Sequence, residues 1–329
     1  MRPLLATMTV FFAVMAGLGM EGALQWVDRP FSGFLVMDNG VIASAGLSDW
    51  PATRNGLVYQ HEIVAVEGEA FSGSGALREQ IQAAPIGTEI TYRLRHEGRE
   101  LDRTIATRRF EWRDFRLLFG AYFLNGILLA GAALALLRLR DRAQGAGAAA
   151  PLLTLSAVWA LSAMDLYGPH RLFRVHVLAE SLLFAAALHV AMGFPRPWAF
   201  VARRPATVWA PYAVAFALAV AYQLALYAPD SYVRLHLAAV GSLGLSLLVL
   251  IASQIGRLWA GSPAARRQIR VVALGSLLAL APAVWLSIAE PFNGGSSPQN
   301  VMAFTAFLFP VSIAWAVVRQ PAGSVAADG

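Results

Sequence analysis

His176 and Glu180 stand four residues apart inside an apolar run of a 329-residue chain. At that spacing they share one face of a helix. An ionisable group in hydrocarbon is expensive, and it is usually paired or put to use. Asp165, Arg171, Arg174, Arg234, His236 and Glu290 sit at the ends of neighbouring apolar runs, on the side that the loop charges below place outside. Asp165, Arg174, His176, Glu180 and His236 are therefore expected to form a polar pocket, with Arg174 or His176 as the partner of Glu180. Residues at the ends of such runs also meet water, which is the simpler account for most of the group. It fits Glu180, two turns in, least well. His189 falls nearer the other end and reads as a packing or hydrogen-bonding residue at a helix interface.

Other chemistries find little support. His61-Glu62 opens like a zinc-protease motif, but position 65, where the second histidine belongs, is alanine. The chain has no cysteine, which excludes disulfides, Cys-ligated zinc and iron–sulfur clusters. Gly244-Leu245-Ser246-Leu247 is a poor match to an intramembrane serine protease, and Ser246 is expected to bond its own helix. No phosphate-cradling glycine motif stands in its required context. The reading is that of a protein without catalytic residues, cofactor or metal ligands. Every basic side chain is arginine, and most occupy short gaps between apolar runs. Topology and lipid headgroups explain that placement better than nucleic acid does.

The elements that position these residues are membrane helices. Charged residues make up 14% of the chain, where a soluble domain carries about 25%. A bilayer core takes roughly 20 apolar residues per helix. Runs of that kind lie at 4–20, 115–137, 151–167, 172–193, 207–227, 234–255, 271–289 and 301–318. The expected fold is a mainly α membrane protein with eight transmembrane helices and a small α+β domain inserted between the first two. Its parts are an anchor at 1–24, retained rather than cleaved, an extracytoplasmic domain at 25–114, a seven-helix domain at 115–319 and a tail at 320–329. Arginines crowd alternate loops: Arg138, Arg140 and Arg142, then Arg196, Arg203 and Arg204, then Arg257, Arg266, Arg267 and Arg270, then Arg319. Arginine-rich loops mark the cytoplasmic side. Both termini are thus expected inside a cell membrane and the 25–114 domain outside.

Within that domain, Phe34–Met37 and Glu62–Val66 read as strands, the second closed by a Glu67-Gly68 turn. Residues 74–84 read as a helix with Leu77, Ile81 and Ala84 on one face, ended by Pro85-Ile86-Gly87. Residues 89–108 read as a hairpin turning at His96-Glu97-Gly98-Arg99. The order PATRNGLVYQHEIVAVEGEAF at 51–71, followed by APIGTEITYRLRHEGRELDRTI at 84–105, resembles the bacterial PDZ pattern. Gln60-His61-Glu62 replaces its usual Gly-Asp turn. The resemblance implies a groove that takes an extended peptide or protein C-terminus as an added strand. A carboxylate-binding loop would then fall at Phe31, Ser32, Gly33 and Phe34, which otherwise read as a strand start after a proline turn.

LHVAMGFPRP at 188–197, ARRQIRVVALGSLLALAP at 265–282 and FLFPVSIAWAVVRQ at 307–320 resemble the membrane input regions of bacterial sensor histidine kinases. That resemblance implies a receptor that relays an outside event inward. Only QPAGSVAADG follows Arg319, so output is expected from a separate partner, such as a histidine kinase, or from a part not included here. The partners expected are membrane lipids, an extracytoplasmic peptide or protein tail, a cytoplasmic output protein and a second copy in a homodimer. A scaffold that recruits envelope proteins is the alternative, and a transporter is disfavoured because no inverted repeat is evident. Pro282 and Pro310 are expected to kink the last two helices.

Overall fold

A computed structural model describes residues 2–43, 47, 49–50, 60–139, 143, 145–260, 263–289 and 304–319. Most of the 51–71 motif before Gln60, Glu290, and the 320–329 tail lie outside these residues. So do the side chains at 280 and 282–289.

Helix α1 spans Arg2–Leu24 and leads into the small domain. There β1 (Pro30–Phe31) pairs antiparallel with β6 (Arg108–Arg109). A second sheet runs in the order β3-β2-β4-β5, from β2 (Glu62–Val66), β3 (Glu69–Ala70), β4 (Glu89–His96) and β5 (Arg99–Ala106). Helix α2 (Ser74–Ala83) buries Leu77 and Ile81 against it. Both hairpin turns are Glu-Gly with positive φ at each position: 51° and 82° at Glu67-Gly68, 49° and 76° at Glu97-Gly98. Turns of that hand match the twist of the flanking strands, and glycine adopts them without a Cβ clash. On the outer face Arg93 meets Asp102 at 3.0 Å and Arg95 meets Glu100 at 2.8 Å. Exposed pairs of this kind set register more than stability.

Six described helices are long and apolar enough to cross a membrane: Pro3–Leu24, Trp112–Leu139, Ala146–Ala163, Phe173–Gly193, Pro205–Leu224 and Pro229–Trp259. We number the remaining helices α3 (Trp112–Leu139, with a π-helical turn at Arg116–Gly120), α4 (Ala146–Ala163), α5 (Phe173–Gly193), α6 (Ala199–Arg203), α7 (Trp209–Leu224), α8 (Pro229–Ala260), α9 (Pro263–Ala289) and α10 (Leu308–Val318). The other two expected spans, in α9 and α10, contain or border residues outside those described. The described part of α10 has only 11 residues, roughly 16 Å of helix against a core of about 30 Å. Pro310 lies in the first turn of α10, where a missing N–H costs nothing, so it does not kink the helix. Pro282 falls within the continuous assignment of α9.

The bundle core is rich in alanine, including Ala133, Ala149, Ala157, Ala186, Ala187 and Ala191. Small residues let apolar helices approach closely where no hydrophobic drive separates them from lipid. At Gly126 of α3 an added Cβ would stand 2.4 Å from Leu161 Cδ2 of α4. Helix α5 is the centre of the bundle and mostly buried, whereas the spans containing α7 and α8 are mostly exposed.

Candidate functional site

The small domain does not hang free. Along residues 34–37 the side chains alternate, as in any extended strand. Phe34 and Val36 enter the domain's own core with Ile42, Tyr92 and Ile105. Leu35 and Met37 enter a second core shared with the helices, where Trp26, Phe31, Trp50 and Phe110 pack with Phe119, Tyr167, Phe173, Tyr222 and Tyr232. Residues 35–43 form a tight hairpin, closed by Met37 N–H to Val41 O at 2.9 Å and Ala43 N–H to Leu35 O at 2.8 Å. Its tip latches onto the loop between α7 and α8. Asn39 Nδ2 donates to Leu226 O at 2.9 Å, and the Tyr227 hydroxyl donates to Asp38 at 2.8 Å. From the other side, Trp26 Nε1 donates to Tyr167 O at 3.1 Å.

Beneath this seam lies the buried pair. His236 Nδ1 of α8 stands 2.7 Å from Glu180 Oε1 of α5, with side-chain exposures of 25% and 5%. The His236 ring stacks on Tyr232, with centroids 6.2 Å apart and planes 5° from parallel. The Tyr232 hydroxyl in turn touches Met37 Sδ of the hairpin at 3.1 Å. Tyr222 of α7 packs on Tyr232 with ring centroids 5.2 Å apart, and its hydroxyl faces Glu180. His176 is one turn from Glu180 and points toward α4, with Nδ1 3.0 Å from Ser162 Oγ and 3.1 Å from Trp159 O. A single line of contacts thus runs from the hairpin through Tyr232 and His236 to Glu180.

Of the five expected pocket residues, the structure brings together three: His176, Glu180 and His236. The partner of Glu180 is His236 rather than Arg174 or His176. Arg174 is exposed, donates to Gln223 Oε1 at 3.2 Å and lies over the Tyr227 ring. Asp165 lies in the α4–α5 loop, where Oδ2 accepts from Leu172 N–H at 2.7 Å. Burial pushes its carboxyl up to about 6, against the pull of that hydrogen bond and of Arg171. In the same loop, burial lowers the imidazole of His170. His189 meets the Tyr212 hydroxyl at 3.3 Å, and Ser246 bonds Ser242 O of its own helix at 2.8 Å, as expected of both.

Phe31 and Phe34 are 0% and 1% exposed, each inside one of the two cores, and the Ser32 hydroxyl donates to Phe34 O at 2.7 Å. Gly33 has φ 82°. A carboxylate arriving here would meet backbone rather than these rings.

At the opposite end of the bundle the same two helices meet differently. Ser253 of α8 donates to Ala191 O at 2.9 Å, and Arg257 Nη2 donates to Ala191 O and Met192 O at 3.1 and 3.3 Å. Gln254 reaches Phe194 O at 3.4 Å, and the Arg257 guanidinium lies over Trp198. These donors satisfy carbonyls that the end of α5 leaves without helical partners. An apolar groove of about 490 Å³ near this end, lined by Leu4, Met8, Leu137, Pro151 and Leu155 among others, contains no ionisable group.

Among the described residues, no three His, Cys, Asp or Glu side chains gather where they could hold a metal ion. The arrangement can bind and release protons and can tie the position of α8 to the seat of the small domain. No family model, curated protein or solved structure matches the chain. Reading the sequence missed Tyr222, Tyr232 and Met37. Aromatic residues at helix ends look like interfacial anchors, and only their convergence on Glu180 distinguishes these.

Proposed function

We propose that the chain is a membrane sensor: a PDZ-like extracytoplasmic domain and eight membrane helices detect a peptide or other ligand outside and pass a conformational signal to a cytoplasmic partner. In this reading the protein sits in a bacterial inner membrane with both termini inside, and the output comes from a separate protein such as a histidine kinase. The observation that carries the reading is the course of α8. It is one continuous helix from the latch under the small domain to the grip on the end of α5. Tyr232 and Arg257 are separated by roughly 38 Å, at about 1.5 Å per residue. A ligand that binds one seat of the domain better than another shifts the equilibrium of α8, and with it the inner contact.

The test perturbs the outside and reads the inside. Asp38→Asn combined with Tyr227→Phe removes one of the two latch hydrogen bonds. Hydrogen exchange in reconstituted membranes then reports on the 35–43 hairpin and on residues 191–198. Relay predicts faster exchange in both. Loosening of the hairpin with an unchanged 191–198 segment sinks the sensor reading and leaves a scaffold in its place.

A further inference from the structure

We infer that the Glu180–His236 pair is a proton-binding site whose occupancy sets how firmly the 35–43 hairpin is seated. This deepens the sensor reading and rests on it in one respect, the use of the seat as the moving part.

The geometry supplies a site, a route and a reporter. The site is the 2.7 Å contact between a carboxylate and an imidazole on different helices. The route follows from their unequal exposure. His236 retains 25% of its side-chain surface and Glu180 only 5%, so the imidazole is the member of the pair that protons can reach. The reporter is Tyr232, which lies against the His236 ring and touches Met37 of the hairpin.

The groups facing the pair are few. They are His176 on the helix of Glu180, Tyr222 on α7, Tyr232 on α8 and Tyr167 in the α4–α5 loop, with Tyr122 of α3 beyond Tyr167. As carboxylate and imidazolium the pair has no net charge. Uptake of one proton by Glu180 gives a carboxylic acid beside an imidazolium, net +1. Loss of one proton from His236 leaves a bare carboxylate, net −1. Either state buries an uncompensated charge, and an unpaired buried charge is strongly disfavoured. The low-cost response is to let water in along the seam, which means unseating Met37 from Tyr232.

Asp38, Asp165 and His170 also border the seam, so the experiment must separate them. Hydrogen exchange of the 35–43 amides is measured on the full chain in lipid nanodiscs between roughly pH 8 and 5, the range in which an imidazole–carboxylate pair changes charge. The data are corrected for the intrinsic pH dependence of exchange. The expected result is a gain of protection of about tenfold as acidification charges the imidazole and completes the ion pair, the change that about 1.4 kcal/mol produces. It should be absent in Glu180→Gln and in His236→Asn, and present with a moved midpoint in Glu180→Asp. It should survive His170→Gln and Asp165→Asn, and remain on top of the looser baseline of Asp38→Asn.

A flat wild-type profile overturns the inference, and so does a titration that persists in Glu180→Gln. If Glu180→Gln does not fold, infrared spectroscopy of the wild type and Glu180→Asp decides, because the bands of the buried carboxylate must shift as the imidazole beside it charges, and must move again in the variant. The two proposals fail separately. A titrating hairpin with an unresponsive 191–198 segment leaves the proton site and removes the relay. A relay that responds to the latch variants but not to pH does the reverse.

Discussion

Helices α5 and α8 touch at both ends, and the two contacts are built from different chemistry. Under the small domain a carboxylate meets an imidazole, and both partners are side chains that change charge. At the other end Ser253, Gln254 and Arg257 of α8 bond backbone carbonyls of residues 191–194. A carbonyl keeps its dipole at every pH, and a guanidinium keeps its proton. One end is therefore sensitive to its surroundings and the other is constant. A rod gripped firmly at one end and conditionally at the other moves mostly at the conditional end, which is where the small domain rests.

The sharpest way to break this comparison is to remove one member of the pair under the small domain. His236→Leu leaves Glu180 buried without a partner and should cost about 3–5 kcal/mol. Adding Glu180→Met should restore most of that loss. A double-mutant cycle on unfolding in detergent measures both, and a strictly additive cycle would show that the two side chains do not act as a pair.

Next in size is Asp114, which is fully buried at the foot of α3. It accepts from Arg108 at 2.9 Å and from Glu111 N–H at 3.0 Å, closing a capping box. Asp114→Ala strands these donors and Trp50 Nε1, which reaches Asp114 Oδ1 at 3.4 Å, and should cost about 2–3 kcal/mol. Its effect should not depend on whether Glu180 is present, which separates anchoring of the domain from the sensitive contact.

Asp165 gives a pH test of the end under the small domain that does not involve the pair. Its carboxyl titrates near 6 in the fold against 3.8 for the free group. A raised acid binds its proton more tightly when folded, so its contribution is fully present below about pH 4 and is lost as pH rises through 6. Asp165→Asn should therefore gain on the wild type across that window, by about 2 kcal/mol or less. Equal stability profiles from pH 4 to 7 would contradict this.

The smallest effect is expected at the constant end. Arg257→Gln loses charge-assisted bonds to two carbonyls and should cost about 1–2 kcal/mol. That cost should be the same at pH 5 and pH 8. A pH-dependent cost would dissolve the contrast between the two ends.

Much of the framework was legible residue by residue. The Glu-Gly turns with flanking alternation placed β2, β4 and β5 almost to the residue, because period two and a two-residue loop leave one register; the short β3 was not marked. Leu77 and Ile81 marked the buried face of α2 for the same kind of reason. The apolar runs located the six long helices, because hydrocarbon thickness sets a minimum length. The run at 301–318 likewise marked α10, but an apolar run shows where a chain can be buried and not where its helix begins. The 35–43 hairpin was hidden as well, since a segment apolar on both faces does not announce that its two faces serve different cores.

The sequence by itself determined the periodicities, the turns and the presence of ionisable residues where hydrocarbon was expected, because these follow from local geometry and from the cost of moving charge out of water. Only the tertiary structure decided that Glu180 belongs to His236, 56 positions away on another helix, and that Tyr232 joins the pair to Met37 of the small domain. Helix packing brings these residues together, and no spacing along the chain records which helices will be neighbours.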